Sequence, residues 1–114
     1  MNLLLVTILL LICALALGFY LVLLGLRQHR RSPGLGLMHA GLALSGVIVL
    51  FIAIFTGPTD KLNNVAAFFL FSALLGGGMV FALHEENRPP AMIAVVAHAL
   101  MGLLGISLLL INIF

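Results

Sequence analysis

Four long apolar runs alternate with three short polar stretches along the chain. The runs cover about residues 3–26, 35–55, 65–83 and 91–113. A helix needs roughly 20 apolar residues to cross a hydrocarbon core of about 30 Å, and a helix is the open-chain structure that satisfies its own backbone in lipid. The pattern therefore predicts an all-α membrane protein. We expect residues 1–114 to form a single transmembrane domain, a four-helix up-down bundle.

The charged residues define the ends of this bundle. Only 7% of residues are charged, and they lie in the three polar stretches, as Arg27, Arg30 and Arg31, then Asp60 and Lys61, then Glu85, Glu86 and Arg88. The first and third loops lie on one side of an up-down bundle and carry four arginines, against one lysine in the second. The positive-inside rule then predicts cytoplasmic first and third loops, with both termini outside. We expect an integral protein of a bacterial inner membrane, with the lipid bilayer as a partner and no nucleic acid.

Two apolar runs carry a histidine in matching surroundings. His39–Gly46 and His98–Gly105 both read His-Ala-x-x-(small)-Leu-x-Gly, and each motif follows a proline-containing loop. The chain is thus compatible with two parallel repeats of a helical hairpin, and such repeats are commonly related by an axis along the membrane normal. Leucine, alanine and glycine recur readily in apolar helices, so the repeat is a hypothesis.

The two histidines are predicted to lie at the same depth. His39 is six residues past Pro33, and His98 is eight residues past Pro90. At a helical rise of about 1.5 Å per residue, these depths differ by about 3 Å. We therefore expect the two side chains to face each other across the bundle, near the cytoplasmic leaflet.

An ionisable residue inside a membrane span indicates a functional site. Two histidines from different helices are a suitable ligand pair for the iron of a b-type haem, so His39 and His98 are the candidate iron ligands. The other candidate cofactor-binding residues are glycines that would leave space and arginines that would border the propionates: Gly46, Gly102, Gly105, Arg27, Arg31 and Arg88. Membrane b-type cytochromes built on four helices use this kind of arrangement. The specific prediction is a small electron-transfer protein with bis-histidine haem b and no catalysis by this chain alone.

Other interpretations of the pattern stay open. Each histidine could instead bond a backbone carbonyl, Ser45 or Ser107 on a neighbouring helix. The chain would then be a cofactor-free accessory subunit, packed against a larger respiratory or transport complex. With either function, we expect other membrane subunits or a second copy of the chain as partners. A divalent-metal site from the loop residues His29, His84, Glu85 and Glu86 is a further hypothesis. A proton-coupled transporter is disfavoured because no carboxylate lies inside a span.

Overall fold

The computed structural model describes residues 2–85 and 87–114 and contains four helices. They are α1 (Leu3–Gln28), α2 (Pro33–Thr56), α3 (Lys61–Leu83) and α4 (Met92–Ile113). Each helix is long and apolar enough to cross a membrane. The predicted all-α, four-helix architecture is confirmed.

Side-chain caps set where three of the helices begin. Asn2 caps α1, and Ser32 caps α2 with Pro33 in the first turn. Asp60 accepts hydrogen bonds from two backbone N–H groups in the first turn of α3. Because this cap satisfies groups that a helix start leaves free, α3 begins at Lys61 and not at residue 65, where the apolar run starts.

The helices pack mainly as two hairpins. α1 lies along α2 and α3 lies along α4, while the hairpins meet through smaller α2–α3 and α1–α4 contacts. The buried core lies towards the end formed by the termini and the second loop. Its members are Ile8, Leu11, Val47, Leu50, Ala66, Ala67, Leu70, Ile106 and Leu109.

The two hairpins have equivalent cores. Buried Val47 and Leu50 of α2 correspond to buried Ile106 and Leu109 of α4, each 59 positions later. A Cβ added at Gly46 would lie 2.9 Å from Leu11, and one added at Gly105 would lie 2.5 Å from Leu70. These glycines are also 59 positions apart, as are the two leucines. The structure thus shows the same helix contact twice, in hairpins that run in the same direction.

Candidate functional site

The rings of His39 and His98 face each other inside the bundle. Their centroids are 5.9 Å apart, and the ring planes are inclined by 82°. The rings come from α2 and α4, which are diagonal helices: among residues 2–85 and 87–114, no Cα pair joins α2 to α4 within 8 Å. The two imidazoles therefore bridge a gap that the backbones leave open, as the matched depths of the two histidines predict.

A backbone carbonyl of the neighbouring helix holds each ring. Nδ1 of His39 lies 2.7 Å from the carbonyl oxygen of Ala14, and Nδ1 of His98 lies 2.7 Å from that of Ala73. Since a carbonyl only accepts, Nδ1 must carry the hydrogen in both rings. In a neutral ring Nε2 is then an acceptor. Two neutral rings with this tautomer cannot hydrogen-bond each other, and no described residue donates to either Nε2. Each Nε2 can therefore accept a metal ion or a proton.

A glycine one turn further along the helix opens access to each carbonyl. The carbonyl of Ala14 also accepts the helical N–H of residue 18, and a side chain at position 18 would point back towards it. Position 18 is glycine, and a Cβ built there would lie 2.7 Å from Cε1 of His39. The corresponding distance from Gly77 to Cε1 of His98 is 2.9 Å. An imidazole can approach a helical carbonyl closely because these two positions lack side chains.

The complete ring-binding arrangement occurs twice with the same spacing. Its two sets are Ala14, Gly18 and His39 in one hairpin and Ala73, Gly77 and His98 in the other. Every member recurs after 59 positions. The histidine motifs by themselves do not identify the alanines and glycines, because a carbonyl acceptor has no residue preference. An Ala-x-x-x-Gly pattern that recurs at the same offset as the histidines is the signal that identifies them.

The glycines predicted to leave space have different neighbours. Gly46 and Gly105 are buried against leucines of the adjacent helix in each hairpin, as described above. Gly102 lies closer to the pair, since a Cβ built there would be 4.0 Å from the Cβ of Ala73. Of the three, Gly102 is the one that the structure places beside a residue that holds a ring.

The predicted arginines do not form one group. Arg27 and Arg88 are exposed, and the carbonyl of Arg88 lies 2.8 Å from Nε2 of His84. Arg31 is half-buried, with its guanidinium carbon 4.2 Å from the centroid of the Phe81 ring. Of the three arginines, Arg31 alone is packed against an aromatic ring.

The structure also describes Ser45 and most of the residues of the hypothetical loop metal site. Ser45 donates to the carbonyl of Gly41 in its own helix and not to a histidine. Within residues 2–85 and 87–114, no three histidine, cysteine or acidic side chains lie close enough together to hold a metal ion. Glu86, one member of the loop metal hypothesis, lies outside the described residues.

The chemistry of the site follows from two fixed imidazoles in an apolar bundle. Their Nε2 atoms could bind a metal ion or share a proton. Comparisons with protein-family models, with curated proteins and with solved structures found no match to this chain.

Proposed function

We propose that this protein is a small membrane b-type haem protein that transfers single electrons, with His39 and His98 as the axial ligands. The observation that carries the proposal is the facing pair itself: two imidazoles 5.9 Å apart, each with Nδ1 bound to a carbonyl. Metal-ligating histidines usually donate their other N–H to a carbonyl or carboxylate, which fixes the ring and raises its basicity. Both histidines have this second partner.

The separation of the rings supports the same conclusion. Two imidazoles that bind one metal from opposite sides, at metal–nitrogen distances of about 2 Å, have centroids about 6 Å apart. The observed 5.9 Å therefore suits a shared metal centre. Edge-to-face ring contacts also fall within this range, and a visible spectrum distinguishes ligation from such packing.

The residues around the pair are small. α1 contributes Ala14 and Gly18 at this level, and α3 contributes Ala73 and Gly77. Small residues let a flat group approach the helix backbone closely. In b-type cytochromes such a group is the porphyrin, and its iron supplies a one-electron couple. In this chain the histidines would bind the iron, the two carbonyls would orient the histidines, and the apolar helices would exclude water.

The membrane setting of the proposal follows the charge pattern. We place the arginine-bearing first and third loops in the cytoplasm and the termini outside, in a bacterial inner membrane. Electron donors and acceptors would then be membrane-soluble carriers or other membrane subunits. The histidine pair would lie nearer the cytoplasmic surface.

The test is a reduced-minus-oxidised visible spectrum of the protein purified in mild detergent, before and after adding haem. We expect the sharp α-band of a low-spin bis-histidine haem, with about one haem per chain. His39→Ala and His98→Ala should each abolish this band while the helical circular-dichroism signal persists. His84→Ala is the matched control, because His84 lies outside α3 in the loop and bonds a local carbonyl. It should keep the spectrum.

A flat spectrum that added haem does not change would overturn the proposal. The rings would then only join the helices of each hairpin, and a cofactor-free accessory subunit would be the better interpretation. Loss of the band in His84→Ala to the same extent as in His39→Ala would also count against the assigned ligands.

A further inference from the structure

One end of the bundle carries a concentrated positive charge. The loop between α1 and α2, the loop between α3 and α4 and the adjoining last turn of α1 together contain four arginines and two glutamates, whereas Lys61 is the one basic residue of the other end. Arg27, Arg30 and Arg88 are exposed, as is Glu85. Exposed basic groups at this position are common in membrane proteins and do not by themselves define a site.

Arg31 differs from the other three because it is packed against the protein. Its guanidinium lies over the ring of Phe81, which stands near the end of α3. That ring is supported by Gly36 of α2, where an added Cβ would lie 3.2 Å from Cε2 of Phe81. Arg31 therefore sits across the seam between the two hairpins, held by an aromatic side chain of the other hairpin.

One nitrogen of the Arg31 guanidinium group is enclosed by the protein. This nitrogen, Nε, is buried and has no hydrogen-bond partner among the described residues. Arg31 is only half-buried, so an anion can approach its guanidinium from the side that the Phe81 ring leaves open. The planar guanidinium matches the oxygens of a phosphate better than any other side chain does.

The position of Arg31 along the bundle indicates where that anion comes from. Arg31 precedes α2 by two residues, and Phe81 precedes the end of α3 by two residues. If α2 and α3 span the hydrocarbon core, this level is that of the lipid headgroups. We propose that Arg31, held by Phe81, binds the phosphate of an anionic phospholipid at the seam between the hairpins. This proposal does not depend on haem binding by the histidine pair.

The test compares lipids on the purified full-length protein in mild detergent. Tm is followed by circular dichroism with added phosphatidylglycerol and, at the same mole ratio, with phosphatidylcholine. Phosphatidylglycerol should raise Tm more than phosphatidylcholine does, and added salt should reduce the difference. Arg31→Gln should remove at least half of this difference. Arg30→Gln, which removes an exposed charge from the same loop, should leave most of it.

Two additional measurements make the result decisive. Phe81→Leu keeps the apolar packing but removes the aromatic face, and it should weaken the lipid effect in the same direction as Arg31→Gln. Native mass spectrometry should detect bound phosphatidylglycerol on the wild type and less on Arg31→Gln. Should Arg31→Gln retain the full difference while keeping the wild-type Tm in phosphatidylcholine, the proposal is overturned. An equal Tm rise with inorganic phosphate would assign the site to a soluble anion and would also overturn it.

Discussion

Adding one methyl group at Gly18 tests how His39 is seated. The Cβ of Gly18→Ala would lie 2.7 Å from Cε1 and 3.1 Å from Nδ1 of His39, whereas ordinary contact begins at 3.4 Å, so the ring must retreat by about 0.7 Å. That movement stretches a hydrogen bond of 2.7 Å to Ala14. Overpacking of this kind costs about 1–3 kcal/mol, and a side-chain hydrogen bond inside a membrane protein contributes about 0.6–1.7 kcal/mol. We expect Gly18→Ala to lower the free energy of unfolding by about 2 kcal/mol.

The assay is equilibrium unfolding in mixed micelles of a mild detergent and dodecyl sulfate, followed by circular dichroism. The repeat supplies a second variant: Gly77→Ala places its Cβ 2.9 Å from Cε1 of His98, so it should destabilise slightly less. The controls are Gly41→Ala and Gly78→Ala, because no atom of the described residues lies within 4 Å of a Cβ at either position. Both controls should be neutral or stabilising, since alanine favours helix more than glycine does.

Unchanged stability in Gly18→Ala would refute the reasoning, because it would mean that the ring of His39 does not rest on residue 18. A double variant adds a further check. The two rings contact each other, so the effects of Gly18→Ala and Gly77→Ala should not be additive. If the proposed haem binding is correct, either variant should also lower the haem content of the purified protein.

Three further experiments probe the bundle away from the histidines. Gly105→Ala places a Cβ 2.5 Å from Leu70, so it should cost about 2–3 kcal/mol in the same unfolding assay and more than Gly18→Ala; a neutral result would contradict the packing between α3 and α4. Asn112 donates to Asn63 over 2.7 Å, and a double-mutant cycle with alanine should give a coupling of about 0.6–1.7 kcal/mol, whereas additive effects would show that the bond contributes nothing. Asp60→Ala removes the cap of α3 and should cost about 1 kcal/mol, with faster amide exchange confined to the first turn.

The four helices and their order were accessible from the apolar runs because lipid leaves the backbone few other choices. The least accurate boundary was the start of α3, predicted at residue 65 and found at Lys61. The apolar run starts only after the polar residues of the second loop. The helix starts earlier, at the residue that follows the side chain capping its first N–H groups. Asp60 supplies that cap, so a polar first turn belongs to the helix.

The proximity of His39 and His98 was also predictable from the sequence, because two residues at equal depth in one helix bundle can lie close together. The groups that hold the rings were not. Ala14 and Ala73 act through their carbonyls, which every residue has, and Gly18 and Gly77 act through a missing side chain. A sequence can identify such partners only when their spacing from the histidine is the same in both halves of the chain.

The neighbours of Gly46 and Gly105 were not predictable from composition either. A glycine on a membrane helix allows close approach, but its residue type does not say what approaches. In this bundle a leucine of the adjacent helix lies against each of them. The same distinction applies to the arginines, of which the structure packs Arg31 alone of the three predicted.

The parallel direction of the two hairpins has a consequence for how the chain enters a membrane. In a protein built from inverted repeats, the two halves insert in opposite directions. In this chain a reversal of the second hairpin would carry His98 to the opposite surface, away from His39. Correct insertion of both halves is therefore a condition for forming the pair, and arginines in both the first and third loops favour the same direction. Because one short loop joins the two hairpins, moving the positive charge into that loop should invert both hairpins together and keep the pair.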